Sequence, residues 1–521
     1  MTQSEGIREV GAAGAKGLKA DAIGFVSGTV IGVASTAPAY SLAVSLGLVA
    51  LAVGAFSPAI MIVAFIPMLC IAVAYYYMNR ADPDCGTSFT WVARAMGPIP
   101  GWLAGWGIIV ADIVVMASLA EVAAQYTFKL FDIDPTTWGT ADVLGWQLDV
   151  GSVAVVALGV LFIVALTWIV YVGIEVSART QIVLLGMELF ALALFVVVAL
   201  VKVIGGAFAD GITPDLAWLN PFNVSDWSSL TAGVMVALFI YWGWDTAAAV
   251  NEETRDATEA PGRAAITSTL ILIATYVLVA IAAQAIHGYQ YLAQQGGEDV
   301  FATLGTDVLG SPLDKLLILA VLSSAAASTQ TTILPTARTA LSMGARHALP
   351  TAFARMHPRY LTPTTATLWM GGLSIAWYVV LKIVSENVFY DAVAALGLMI
   401  AFYYGLTGYA CAIYYRHRLL DSVKDFLLMG VVPVAGGVML TLALVKSVID
   451  LADPANSYSG TAWFGLGAPL VIAIAFLILG LVLMVVLWRR DPSFFRLSPE
   501  AAPPTPRPHV HRPRFTPSAS H

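Results

Sequence analysis

Twelve long apolar stretches separated by short polar connections occupy the chain from about residue 24 to about residue 488. Their approximate positions are 24–50, 54–78, 101–128, 152–172, 182–205, 229–250, 264–287, 312–336, 365–384, 390–415, 427–449 and 462–488. A helix needs about 20 apolar residues to cross the hydrocarbon of a bilayer. Each stretch is therefore predicted to be a membrane-crossing helix, with ends placed to within about four residues. The stretches show no alternating strand pattern, and no soluble domain interrupts them. The expected fold class is an all-α polytopic membrane protein with 12 transmembrane helices.

Composition agrees with that pattern. Of the 521 residues, 59% are hydrophobic and 11% charged, against about 25% charged in a soluble domain. Residues 1–21 are polar, and the apolar run that follows is too long for a secretory signal. Residues 1–21 and 491–521, the latter proline-rich and basic, are expected to be disordered. His509 and His511 in that tail are more economically solvated than metal-bound. Cys70, Cys85 and Cys411 have no metal-ligand or disulfide spacing and read as structural thiols. No phosphate-binding glycine loop or hydrolase nucleophile turn is present. The expectation is a non-enzyme with no cofactor, no metal and no nucleic-acid partner.

Charge fixes the direction of the helices. With the N-terminus in the cytoplasm, only Lys129, Lys202, Lys315, Lys382 and Lys446 of the 26 basic residues fall outside. The excess of Lys and Arg in cytoplasmic loops is the normal orientation signal. Both termini are thus expected inside, at the cytoplasmic membrane.

Two of the apolar stretches are broken. The first reads GFVSGTVIGVASTAPAYSLA, with Pro38 in its centre. Proline removes a backbone bond and clashes with the preceding turn. The sixth contains Trp242-Gly243-Trp244-Asp245, where glycine loosens the helix and a carboxylate is expensive in hydrocarbon unless it meets water, a partner or a ligand. Five is an odd separation, so helices 1 and 6 run in opposite directions. That arrangement suggests two five-helix halves in an inverted repeat, about 22–206 and about 228–416, followed by two helices at about 427–488, within a transporter domain spanning 22–490. Interrupted helices in corresponding positions mark a substrate site between such halves.

At this point the sequence resembles a known family, the amino acid–polyamine–organocation permeases. Four segments carry the resemblance: SGTVIGVASTAPAYSLA, DPDCGTSFTWVARAMGPIPGWLAGW, IYWGWDTAAAVNEETRDATEAPGRAAI and TARTALSMGARHALPTAFARMHPRYLTPTTA. They occur in order, on helix 1, between helices 2 and 3, on helix 6 and after helix 8. Two positions depart from the family pattern: Cys85-Gly86 stands where a glycine pair is usual, and Ala34-Ser35 where Gly-Ser-Gly is usual. The resemblance implies the five-plus-five inverted-repeat fold and a substrate cavity beside Asp112.

Read residue by residue, the candidate substrate positions are Val33, Ala34, Ser35, Thr36, Asp112, Phe239, Trp242, Gly243 and Asp245. Asp245 has three candidate roles: an ammonium partner, a proton carrier, or the N-cap of the second half of helix 6. Aromatic Phe239, Trp242 and Trp244 are candidates to close over a cation or simply to pack. Asp245, Asp112, Glu188, Ser328 and Thr329 are the coupling candidates, with Glu121 a further intramembrane acid. Ser323, Ser324, Ser328 and Thr329 offer hydroxyls for a sodium ion or pack as small residues. Glu252, Glu253 and Arg255 read as a gate or a loop ion-pair cluster.

The function expected is a secondary transporter that carries amino acids by alternating access, driven by protons, by sodium in their place, or by exchange. An amine or polyamine carrier is the alternative within transport. A channel or a substrate sensor on the same scaffold is the alternative of another class. The expected partners are the solute, the coupling ion and the lipid bilayer.

Overall fold

A computed structural model describes residues 16–143, 146–295, 300–384, 386–457 and 459–503. His509, His511 and the remainder of the tail lie outside the described residues, as does the start of the N-terminal arm. Among the described residues the protein is predominantly helical. Ten stretches are long and apolar enough to cross a membrane.

The longest of these, Phe25–Ala81, holds three helices: α1 (Phe25–Ser35), α2 (Pro38–Val53) and α3 (Ser57–Ala81). A short α4 (Ser88–Met96) precedes α5 (Pro98–Leu130). Next come α6 (Val150–Val172) and α7 (Ile174–Ile204), then α8 (Trp227–Ile240) and the one-turn α9 (Thr246–Ala249). The second half continues with α10 (Ala260–Gln295), α11 (Val300–Leu309), α12 (Lys315–Ala345), α13 (Thr364–Val384) and α14 (Glu386–Tyr414). A six-residue π-helical segment, Phe426–Val431, leads into α15 (Val432–Ala452), and α16 (Ala468–Arg490) completes the bundle.

The broken pairs sit at its centre. α12 packs mainly on α5, and also touches α1, α2 and α9; α10 packs on α3 and on both α1 and α2. The outer helices expose apolar side chains, as in Phe190 and Val201 of α7 and Leu442 of α15. That distribution is the expected one for helices whose solvent is lipid, where all backbone polar groups are satisfied within the helix.

Several expectations need correction. The bundle carries two small antiparallel hairpins, Thr140–Val143 with Trp146–Asp149 and Ala462–Trp463 with Leu466–Gly467. They are too short to register as strand patterns. α7 starts eight residues before the expected 182, and α12 runs nine past the expected 336. Both extensions contain charged residues, Glu175 and Arg179 in one, Arg338 in the other, which hydropathy reads as loop. The terminal segments are also partly folded. Lys16 and Leu18 are buried. Beyond α16, Phe494 and Phe495 are buried, and Ala502 N–H donates to the Tyr414 carbonyl at 2.8 Å.

Candidate functional site

The two breaks meet. α1 closes with Thr36 N–H on the Val33 carbonyl and Ala37 N–H on the Ala34 carbonyl, both at 3.1 Å. Ala37 then takes a left-handed conformation, φ 48°, and Pro38 opens α2. At the first helical position a proline lacks only a donor that would have been unpaired anyway. On the other side α8 ends at Ile240 and α9 begins at Thr246. Gly243 bridges them with φ +118°, and a β-carbon there would lie 2.6 Å from the Ser35 carbonyl oxygen. The Ser35 and Thr246 hydroxyls are hydrogen-bonded at 2.8 Å.

Two carboxylates line the space between the breaks. Asp245 occupies the N-cap position of α9, but its side chain makes no capping bond. Instead Tyr404 donates to its Oδ1 at 2.8 Å, while Tyr75 and Tyr403 donate to its Oδ2 at 3.3 and 3.4 Å. Trp242 Nε1 donates to the Tyr403 hydroxyl at 2.5 Å, and Trp244 stacks on Tyr404. Asp112 Oδ2 accepts from Thr336 at 2.5 Å. Both acids are buried. They share one cavity with Ser35, Trp242, Gly243 and Tyr403, and no Lys, Arg or His lines it. Its volume is about 10 Å³, on the order of a single water site. The site is therefore closed down around its own side chains, and a solute requires it to expand.

Glu188 of α7 joins the break from the other side. Its Oε1 accepts from Ala39 N–H and from Ser324, both at 2.8 Å. Tyr40 N–H donates to Ser324 Oγ. The first free donors of α2 are thus taken by α7 and α12, where the positive end of a helix favours an acid. Glu188 Oε2 is buried without a hydrogen-bond partner among the described residues. Ser328 donates to the Ser35 carbonyl at 2.9 Å, so it does bridge α12 to the α1 end. Thr329 and Ser323 only bond carbonyls of their own helix. Glu121 pairs with Tyr378 and Lys382, away from the breaks.

The end of the bundle that holds residue 16 carries a buried ionic cluster. Asp84 Oδ1 accepts from Gly86 N–H, Thr90 and Ser342; its Oδ2 accepts from Lys16 and Arg346, each at 2.7 Å. Lys16 also reaches Glu252 Oε1 at 2.5 Å. Burial alone would raise the pKa of Asp84, but Lys16 and Arg346 outweigh it and hold the carboxyl far below its usual range. Burial likewise opposes the charge on Lys16, and Asp84, Cys85 and Glu252 overcome it. Beside this, Arg338 forks onto Glu253 at 2.6 and 2.9 Å with both side chains fully buried.

Of the sequence candidates, Ser35, Asp112, Trp242, Gly243 and Asp245 line one cavity. Val33, Ala34 and Thr36 are buried at the break but do not line it, and Phe239 is only partly buried beside it. Glu252 and Glu253 form the expected ion-pair cluster; Arg255 does not, and instead bonds the Asp21 carbonyl. Arg338 belongs to α12, not to a loop. The tyrosines around Asp245, Thr336 beside Asp112, and the Lys16–Asp84 pair were not singled out by sequence. A Tyr403-Tyr404 pair within an apolar helix was the one available signal, and it is unspecific.

The two broken helices of the bundle thus meet at a buried acidic cavity. The family profile described as amino acid permease matches residues 20–488, and the chain belongs to that family. It is 27% identical over 316 residues to an uncharacterized transporter of Mycobacterium tuberculosis, covering 60% of this chain and 64% of that protein. It is 24% identical to the branched-chain amino acid permease BcaP of Lactococcus lactis, covering 46% of this chain and 52% of the relative. The arginine/ornithine antiporter ArcD1 of the same species is also 24% identical, with 56% of each chain covered. The matches thus span less than two thirds of these relatives. The family is one of permeases, not of enzymes.

Proposed function

We propose that this protein is a secondary transporter that moves amino acids across the cytoplasmic membrane by alternating access. The observation that carries the reading is the meeting of the two helix breaks, Ser35 against Gly243, over a cavity containing Asp112 and Asp245. The substrate ammonium is assigned to Asp245. The names of two relatives, a branched-chain amino acid permease and an arginine/ornithine antiporter, support amino acids as the solute class.

The proposal includes twelve membrane crossings, counted by dividing Phe25–Ala81 into two and joining α8 with α9 across their break. Helices 1–5 and 6–10 form an inverted repeat, and both termini are cytoplasmic. The Lys16–Asp84–Glu252 cluster is then the closed inner gate. Glu188 is the favoured coupling acid because one of its oxygens caps α2 at the break and the other is left unpaired.

One observation favours a second reading. Two acids share a cavity lined by no base, which is one negative charge more than a zwitterion needs. The donors at the start of α2, which would suit a substrate carboxylate, are already occupied. A diamine or other organic amine fits these two facts. Proteoliposome uptake of a panel of amino acids and diamines, with imposed proton and sodium gradients, separates the readings. Saturable amino acid uptake supports the first; uptake of diamines alone overturns it in favour of the second.

A further inference from the structure

A second cavity among the described residues lies apart from the one between the broken helices and shares no lining residue with it. It has a volume of about 390 Å³ and is bounded by the end of α3, the end of α14, the start of the π-helical segment and the chain at Ala502. Arg80, Arg418 and Lys424 line it against a single acid, Asp425. Three tyrosines, Tyr77, Tyr414 and Tyr415, form its inner wall, and the Tyr415 hydroxyl is fixed on the Tyr77 carbonyl at 2.8 Å.

Arg80 already pairs with Glu259 at 3.0 Å, whereas Arg418 is less fully engaged. Arg418 Nε is buried with no hydrogen-bond partner among the described residues, and its nearest acid, Asp421, is 4.0 Å away. A buried guanidinium donor left open is costly, and an anionic oxygen is its natural complement. Asp425 is itself engaged by Ser422. The adjacent Phe426–Val431 segment is π-helical, a rare conformation found most often at functional sites.

The same stretch of chain also exposes large apolar side chains. Leu420 is 90% exposed and Val423 77%, with Phe426 and Leu427 next to them. In a membrane protein these side chains belong in the acyl region. A basic pocket beside an apolar, lipid-facing flank, at the end of a bundle, is the arrangement that receives an anionic lipid headgroup. A free phosphate would use the cations but would gain nothing from the flank.

We propose that this cavity is a binding site for the headgroup of an anionic phospholipid, held by Arg80, Arg418 and Lys424, with its acyl chains along Leu420, Val423 and Phe426. The test uses the full-length protein in neutral detergent. Thermal unfolding is followed while dioleoyl phosphatidylglycerol, dioleoyl phosphatidylcholine or sodium phosphate is titrated in. The expected result is a saturable rise in Tm with phosphatidylglycerol and none with the other two. In the double variant Arg418→Ala, Lys424→Ala the midpoint of that rise should shift to about thirtyfold higher lipid, the combined contribution of two near-surface cations. If the double variant does not fold, Lys424→Glu alone, at an exposed position, should produce the same direction of shift. An equal rise with phosphatidylcholine, a rise with phosphate alone, or an unshifted midpoint in the variants overturns the proposal.

Discussion

Gly243 lies so close to Ser35 that a β-carbon on it would stand 2.6 Å from the Ser35 carbonyl oxygen. The contact joins the α1–α2 break to the α8–α9 break. It also explains why this position is a glycine: φ is +118°, a conformation that side chains rarely tolerate and that costs about 1–3 kcal/mol when forced. Gly243→Ala should therefore push the two breaks apart. The expected outcome is a lower Tm and loss of at least about 90% of uptake, measured on protein that still purifies as a single species. Wild-type uptake in this variant would show that the contact is incidental.

The Lys16 ammonium, buried between Asp84 and Glu252, is the second prediction. Removing one partner of a buried ion pair costs roughly 3–5 kcal/mol because the other charge is left uncompensated. Lys16→Met should favour opening at that end of the bundle. In a Cys70→Ala, Cys411→Ala background, Cys85 is the remaining thiol, and it is fully buried beside the cluster. A maleimide should label Cys85 slowly in the wild type and at least about tenfold faster with Lys16→Met. Equal rates would remove Lys16 from the gate.

The same cluster has a defined response to acid. The Asp84 carboxyl is held below its ordinary value of 3.8 by Lys16 and Arg346 against the opposing effect of burial. A depressed carboxylate stabilises the closed form fully above its unfolded pKa, and the effect is lost only as pH falls through the folded value. Between pH 7 and pH 5, hydrogen exchange across residues 82–87, corrected for intrinsic rates, should therefore stay protected. Asp84→Asn should be unprotected at both pH values. Protection in Asp84→Asn equal to that of the wild type would contradict the assignment of Asp84 as the hub.

Much of the centre was legible in the sequence because its physics is local. Pro38 and Gly243 break helices by their own backbone chemistry, and Asp112 and Asp245 stand out because charge is rare in apolar stretches. The partners were not legible. Tyr75, Tyr403 and Tyr404 converge on Asp245 from two other helices, and nothing in their spacing distinguishes them from packing aromatics. Arg338 reads as a loop residue because hydropathy penalises it, yet Glu253, 85 positions away, neutralises it inside α12. Lys16 reads as part of a polar arm for the same reason: its partners are 68 and 236 residues distant.

Orientation follows from the distribution of basic residues and has a direct check. Thr137 and Arg359 are both exposed, at opposite positions in the charge pattern. With Cys70, Cys85 and Cys411 all replaced by Ala, Thr137→Cys should label from outside intact cells with an impermeant maleimide, and Arg359→Cys should label only after permeabilisation. The reverse result would invert the proposed topology.

Asp112 separates the two solute classes. Asp112→Asn preserves shape and its place beside Thr336 while removing the charge. With an amino acid substrate, the variant should change the pH dependence of transport more than the apparent affinity. A diamine engages both acids, and its affinity should fall about a hundredfold or more at every pH, as expected when a desolvated charge loses its partner. Wild-type affinity together with a wild-type pH profile would leave Asp112 with a purely structural role.

The central claim is that the paired breaks hold the solute through Asp245, and the most direct measurement is amino acid uptake by reconstituted wild type and Asp245→Asn. The account predicts saturable uptake of at least one amino acid by the wild type, and a fall of about a hundredfold in the variant with the fold intact. Equal uptake by the two proteins, or uptake that never saturates in the wild type, would contradict it.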